Sequence, residues 1–382
     1  MGIQDFYDMI EEHCPQVLTK VKMSEMCGLK VAVDISIFLN KYVKTAGPEY
    51  WLDNFTLLLC TLKKSGIKPV CIFDGPNPPI EKRAEQDRRR SEAAKKAERI
   101  AYGRRLIALL KTKYRDMPID EEMVAEIKSI IGTRREKVAA INYDDVQDVI
   151  ASMIDALDRQ TKQNSPILPE YGAKAKRLIQ YMGFSHFQAD GEAETLCSAM
   201  CSLGMVDAVL SEDTDVLAYG SPFLMSKIDL AEQTVTVISH EEILAALEFT
   251  HEEFLDLCIL MKCDYNQRVK GYPPDGRKRK KPIGIGVKGA FLMISEYRRL
   301  EDAERYMEDP DLLNYRRCRE LFTLPTSLPN ITIPYNGPID RKNLALFLGE
   351  NRIRTSMEYI LDTWKPTTMT FVSSTEVLSD EE

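Results

Sequence analysis

The chain has 382 residues, 44% of them hydrophobic and 29% charged, with a formal net charge of −8. This is an ordinary globular balance, long enough for roughly two or three domains, and no apolar run approaches the ~20 residues of a membrane span. Nine cysteines without a CxxC pair, and only four histidines, exclude a zinc site of the usual spacing and leave little for histidine-based catalysis.

The start, MGIQDFYDM, has neither the basic region nor the apolar stretch of a signal peptide, and Phe6 stands where a myristoylated start carries Ser or Thr. A reduced, intracellular protein is expected. Residues 29–34 (LKVAVD) read as a buried strand, 51–65 as a helix, and 67–73 (IKPVCIF) as a second strand ending at Asp74. PNPP turns the chain into a stretch rich in Ala, Glu, Lys and Arg from 80 to 115, a strong helix composition. Residues 120–131 and 143–160 read as amphipathic helices, and 162–172 as a returning loop. Helices follow at 172–182 and 191–203, then a strand at 206–210 (VDAVL) and two short strands near 222–228 and 234–238. Helices near 240–247 and 251–262 come next, then one near 340–362 and a polar acidic tail, VSSTEVLSDEE, expected to be disordered. Strands alternating with helices predict an α/β fold with a central, mainly parallel sheet, interrupted by a helical insertion from about 80 to 168.

Charge is segregated along this order. From Ile80 to Arg115 there are thirteen Lys or Arg against five Asp or Glu, and Arg277, Lys278, Arg279, Lys280 and Lys281 form a second basic cluster. The remainder is strongly acidic, so local basic surfaces beside an acidic site are expected.

Seven acids stand apart: Asp34, Asp74, Glu192, Glu194, Asp213, Asp215 and Asp264. Most end an apolar run or sit in the polar turn after it, where a parallel sheet displays its active-site residues. A single Asp after a strand is ordinarily a cap or turn residue. The pairs Glu192/Glu194 and Asp213/Asp215 are more telling, because neighbouring carboxylates repel and a divalent cation resolves the conflict. Mg²⁺ takes oxygen ligands of this kind, and two such ions clamp the attacking and leaving oxygens of a phosphodiester. Lys82 and Arg89, seven apart, share one face of the basic helix. The plainer reading of that helix is a solvated charged surface, and the nearby acids weigh against it. Cys197 and Cys201, one helical turn apart, read as buried thiols.

The ordered motifs VAVDIS, FDGPNPP, ADGEAE, SEDTDVLAYG and LCILMKCDYN…GIGVKGA resemble the flap endonuclease/XPG family of structure-specific 5′ nucleases over residues 1 to about 300. DISIFLN resembles the XPG branch, while the compact size resembles flap endonuclease proper. The resemblance implies a PIN-like nuclease core, a helical arch over the site and a helix–two-turn–helix DNA-binding element. It implies two Mg²⁺ ions, with Mn²⁺ able to substitute. Asp34, Asp74, Glu192 and Glu194 would surround one ion, and Asp213, Asp215 and Asp264 the other. Lys82 and Arg89 resemble the cations the family sets over the scissile phosphate; an extra residue after Asp74 leaves Arg88 or Arg83 open for either role. GIGVKGA implies DNA-backbone contacts from Gly284, Gly286 and Lys288, with K⁺ able to sit at that element, and Gly2 joins the DNA-binding set.

The implied organisation is an N-terminal nuclease region (1–79), an arch or cap insertion (80–168) and an internal nuclease region (169–263). A helix–two-turn–helix region with the basic loop (264–335) and a C-terminal helix with acidic tail (336–382) complete it. The loop departs from the family: it reads as an added phosphate contact, a KRKK nuclear localisation signal or a solvated insertion. Asn40 stands where flap endonucleases commonly carry a base-stacking tyrosine, and Phe38 or Tyr42 is the candidate substitute. The C-terminal end has no clear sliding-clamp box, which leaves a clamp partner open. The expected function is metal-dependent cleavage of DNA flaps or junctions in replication and repair, by a monomer with no membrane association. An XPG-like incision enzyme or junction resolvase is the nearest alternative. A non-catalytic DNA-binding scaffold would have no use for seven retained acids, and a nucleotide-sugar transferase built on EDTD would have none for the basic helix.

Overall fold

The computed structural model describes residues 2–114, 118–131, 141–275, 281–329, 332–335 and 337–364. The basic residues Arg277 to Lys280 and the acidic tail lie outside them.

The central sheet has seven strands: β1 (Thr19–Lys22), β2 (Lys30–Asp34), β3 (Lys68–Phe73), β4 (Ser185–Gln188), β5 (Ala208–Leu210), β6 (Phe223–Asp229) and β7 (Thr234–Ser239). Their order is β1-β7-β6-β5-β2-β3-β4. From β6 through β4 every pairing is parallel; β7 runs antiparallel to both β6 and β1. The chain leaves β2 towards β3 and β4 on one side, then crosses back to β5 on the other. Strand order therefore reverses between β2 and β5, the kind of switch point at which open α/β sheets hold their ligands.

Both faces of the sheet are covered, which is why its strands read as continuous apolar runs. Alternation splits them cleanly. Ala32, Val70, Ile72 and Val209 enter one core, and Val31, Val33, Cys71 and Leu210 the other. Eight of the nine cysteines, Cys197 and Cys201 among them, are buried and all nine are free.

The insertion is helical: Lys82–Thr112, Glu121–Ile131 and Val146–Gln163. Ile107, Leu110, Ile127, Ile130, Met153 and Leu157 give this block its own core. That core involves the second half of the 31-residue Lys82–Thr112 helix. In the first half, as far as Arg99, Glu85 is the one buried residue. Phe38 and Tyr42 are 0% and 5% exposed in the helix after β2. Neither is available to stack on a base, which corrects that expectation; both are buried in the core that also holds Val31 and Val33.

Beyond β7 the helix His251–Met261 leads to Asp264, and a small antiparallel sheet joins Lys270–Gly271, Ile283–Gly284 and Met307–Glu308. The basic loop thus connects two paired strands. Where one C-terminal helix was expected at 340–362, there are two, Arg341–Glu350 and Met357–Thr363, broken where Arg352 takes φ 52°. Left-handed backbone at a non-glycine residue cannot continue a helix.

Candidate active site

Asp34 is the last residue of β2 and also caps the helix that follows, accepting from the Ile37 N–H at 3.4 Å. Its other oxygen accepts from Ser211 Oγ at 3.0 Å, and that same Oγ accepts from the Asp213 N–H at 3.0 Å. One serine after β5 thus ties together the acids at the ends of β2 and β5. Asp74 follows β3 and accepts from the Ala193 N–H at 2.9 Å, which fixes the start of the helix carrying Glu194. Gly75 is needed there: a Cβ would lie 2.1 Å from the carbonyl oxygens of Ala189 and Asp190.

Six of the seven acids are buried: Asp34, Glu192, Glu194, Asp213, Asp215 and Asp264 are each no more than 6% exposed. Asp74 is exposed, at the mouth. They line, with Lys82 and Arg89, a cavity of about 380 Å³, except for Asp215 beneath it. Burial, joined by repulsion from Glu194, Asp74 and Asp213, holds the Asp34 carboxyl well above the usual carboxylate range. Burial and Glu194 push Glu192 up to about 7, against the pull of Lys82. Asp213 rises to about 6 through burial and Glu194. Asp215 is raised well above its ordinary value by burial, then by Asp213 and Asp264.

Two cations from the long helix enter this basin. The Lys82 ammonium contacts Glu192 and stands 3.2 Å from Glu194 and 3.7 Å from Asp264. Burial alone would pull it down, but Glu194, Glu192 and Asp264 outweigh that and keep it protonated. Arg89 donates from Nη2 to both oxygens of Asp264, at 2.8 and 3.0 Å. Neither Arg88 nor Arg83 takes these places: Arg88 pairs with Glu85 and Glu92, and Arg83 is exposed.

Gly2 lies against the basin at φ 81°, where a Cβ would meet Asp213 Oδ1 at 2.1 Å. The neighbouring Ile3 N–H donates to Thr214 Oγ1 at 3.0 Å. Gly284, Gly286 and Lys288 sit apart, on the small sheet and at the start of the helix Val287–Tyr297. Cβ atoms at Gly284 and Gly286 would meet nothing within 4 Å among the described residues, so space is open on that side of each. Lys288 is exposed, 3.7 Å from Glu12, and Lys281 is exposed.

Three supporting residues escaped the sequence reading. Tyr265 Oη donates to Glu192 at 2.5 Å and meets Tyr219 Oη at 3.1 Å, which accepts from Thr195. Ser211 is the third. Tyr265 neighbours Asp264 in the chain, but its partner lies 73 residues away, and nothing local signals the pairing.

Among the described residues, no three His, Cys, Asp or Glu side chains form an arrangement able to hold a metal ion as they stand. Lys82 and Arg89 already engage three of the acids. The donor set nevertheless suits a hard divalent cation, being carboxylate oxygen throughout. Asp215 makes the stronger case. It is 0% exposed, and neither carboxylate oxygen has a hydrogen-bond partner among the described residues. A buried acid without partners is costly, and a cation above it removes the cost.

The XPG N-terminal domain matches residues 1–97 and the XPG I-region residues 183–264. Flap endonuclease 1 of Drosophila mojavensis is 29% identical over 390 residues, covering 94% of this chain and 85% of the relative. Flap endonuclease 1 of Tetrahymena thermophila is 26% identical over 399 residues, covering 95% and 88%. The fold is similar to that of the catalytic core of Rad2 solved with a DNA substrate, at a TM-score of 0.61 and 17% identity, covering 95% of this chain and all of that one. It is also similar to flap endonuclease-1 from Methanococcus jannaschii, at 0.57 and 19%, covering 95% and 96%.

Proposed function

The chain belongs to the flap endonuclease/XPG family of structure-specific 5′ nucleases, and we propose that it is a metal-dependent phosphodiesterase that cuts DNA at 5′ flaps. The observation that carries the reading is the basin itself. Six carboxylates follow the carboxyl ends of four parallel strands and a seventh, Asp264, follows the helix His251–Met261, with two helix cations reaching into them. Burial and mutual repulsion raise four of these acids in the metal-free protein; with all seven ionised, Lys82 and Arg89 would leave five negative charges, close to what two divalent cations would neutralise.

Asp34, Asp74, Glu192 and Glu194 are proposed to hold one ion, and Asp213, Asp215 and Asp264 the other, with Mg²⁺ the natural occupant and Mn²⁺ a substitute. Bound there, such ions would supply Lewis-acid polarisation of the phosphodiester and activation of a water. The chain's own contribution is positional and electrostatic. The Asp34 carboxylate is held by Ser211, that of Asp213 by the Asp215 N–H, and that of Glu192 by Tyr265, so these carboxylates are oriented before substrate arrives. Lys82 and Arg89 carry donors that a phosphodiester oxygen would take in exchange for carboxylate. Charge developing on that oxygen in the transition state would then be met by pre-positioned cations. The products would carry a 5′-phosphate and a 3′-hydroxyl.

Gly284, Gly286 and Lys288 are proposed to grip the duplex backbone, with K⁺ as a bridging ion, as the distal part of a helix–two-turn–helix element. The Lys82–Gln163 helices are proposed as the arch. A nuclear protein is the corresponding proposal for KRKK.

The test is cleavage-site mapping on end-labelled flap, bubble, nicked and four-way-junction DNA, with Mg²⁺ or with chelator. Incision near the base of the 5′ flap, abolished by chelator, is the expected result. Preferred cutting of bubbles or four-way junctions would move the assignment to the incision or resolvase branch.

A further inference from the structure

We infer that Glu85 is a positioning residue for the reaction, the anchor that sets the direction of the Arg89 guanidinium. The inference rests on the reading above, in which Arg89 faces the scissile phosphate.

Glu85 lies in the first turn of the Lys82–Thr112 helix, three residues after Lys82 and four before Arg89. The early part of that helix is otherwise solvated, yet the Glu85 side chain is 7% exposed. A carboxylate is not buried at such a place without partners, and Glu85 has three cationic ones. Arg89 Nε donates to Oε1 at 2.9 Å, Arg88 Nε donates to Oε2 at 2.8 Å, and Lys262 Nζ stands 3.4 Å from Oε2. The bond to Arg88, then the charges of Lys262 and Arg89, outweigh burial and hold the acid ionised, at about 2.

The division of labour within Arg89 gives Glu85 its role. A guanidinium is a rigid planar fork. With Nε pinned to Glu85, the plane of Arg89 is set, and Nη2 is left pointing at Asp264. An arriving phosphodiester would compete for the Nη edge and leave the Nε tether in place. Arg89 would then pivot about Glu85 instead of searching its rotamers. Glu85 also separates like charges. Lys44, Arg88, Arg89 and Lys262 line one neighbouring cavity of about 640 Å³, and Glu85 is the acid among them that touches three of the four. Through Lys262, two residues before Asp264, it fastens the long helix to the segment carrying that acid.

The experiment is a double-mutant cycle read by single-turnover cleavage of a 5′-flap substrate at saturating enzyme with Mg²⁺. Glu85→Gln, which keeps size and removes charge, should slow cleavage roughly tenfold, the scale of one misaimed hydrogen-bonding group. In the Arg89→Ala background it should have no further effect beyond about twofold, because the group it aims is gone. In the Lys82→Ala background the full tenfold loss should persist. Glu85→Asp, which keeps the charge, should recover part of the rate. Melting curves on every variant separate aim from folding, and Glu85→Ala serves if Gln perturbs the helix. Equal slowing by Glu85→Gln with and without Arg89 would overturn the inference, since Glu85 would then act on the structure at large. No slowing in the wild-type background would overturn it as well. If Arg89→Ala itself cleaves at the wild-type rate, the role assigned to Arg89 fails first, and that outcome is visible without any Glu85 variant.

Discussion

The basin at the strand ends and the long helix above it handle charge in opposite ways. The basin buries six acids, one of which, Asp215, has no hydrogen-bond partner for its carboxylate among the described residues. Most of the basic residues in the first half of the helix are exposed, and several of its charges pair within the helix, as Arg90 does with Asp87. Surface pairs of that kind contribute little. The buried acids are another matter, because their repulsion and desolvation are large and Lys82 and Arg89 offset only part of them. The two regions meet where Lys82 and Arg89 cross over. The basin is therefore built at the expense of stability for an occupant, and the helix for contact with something outside.

The sharpest way to break that contrast is to remove an acid. Asp213→Ala or Asp74→Ala should abolish single-turnover cleavage in Mg²⁺ while leaving the protein folded and able to bind DNA. Melting of metal-free Asp213→Ala should stay level or rise, since one repelling charge is gone, whereas Asp74→Ala also gives up its bond to the Ala193 N–H and should melt no higher than wild type. Cleavage within roughly tenfold of wild type for either variant would sink the two-metal reading.

Removing a crossing cation comes next. Lys82→Ala and Arg89→Ala should each slow single-turnover cleavage roughly a hundredfold, about 3 kcal/mol of transition-state stabilisation, with a much smaller loss of DNA affinity. A loss confined to affinity would return both residues to the solvated side of the comparison.

A third prediction concerns pH in the metal-free protein. The folded state holds Glu192 at about 7 and Asp213 at about 6, above the unfolded values near 4. Between those limits the native state binds more protons than the unfolded one, so these groups make stability fall as pH rises from about 4 to 7. The slope from one group is at most about 1.4 kcal/mol per pH unit. His240, pushed down to about 4 by burial and by His251, works in the other direction over the same range. The comparison of Glu192→Gln with wild type removes that shared background. The variant should lose less stability between pH 5 and 7.5, read by chemical denaturation in chelator; parallel curves would show that Glu192 is ionised in the apo basin at both ends.

Much of this was legible because it is local. LKVAVD and VCIFD announce buried strands, and the acids that end them lie where the parallel sheet puts them. Seven-residue spacing was enough to place Lys82 and Arg89 on one face. The strands β1 (TKVK) and β4 (SHFQ) escaped because they are sheet edges, short and polar. Tyr265, Ser211 and Glu85 escaped for a different reason. Their meaning lies in partners brought from other segments, as Glu85 is joined to Lys262 across 177 residues, and no spacing rule reaches that far. Phe38 and Tyr42 were misplaced because an aromatic on a helix reads the same whether it faces DNA or the core.

The smallest expected effect belongs to the second basic cluster, which lies on the connection between Lys270–Gly271 and Ile283–Gly284, after the last of the seven acids in the chain. Replacing Arg277 to Lys281 with Gly and Ser should weaken binding to the duplex arm and flatten its salt dependence. Each lost phosphate contact should reduce the slope of log K against log salt by about one. The cut position should not move, because the loop follows Asp264 and adds nothing to the basin. Titrations at several salt concentrations, with cleavage mapping on the same DNA, measure both quantities. An unchanged slope, together with loss of nuclear accumulation of a tagged protein, would assign the cluster to localisation. If slope and accumulation both hold, the cluster belongs with the solvated charge of the long helix, and the comparison would gain a third region that contacts nothing.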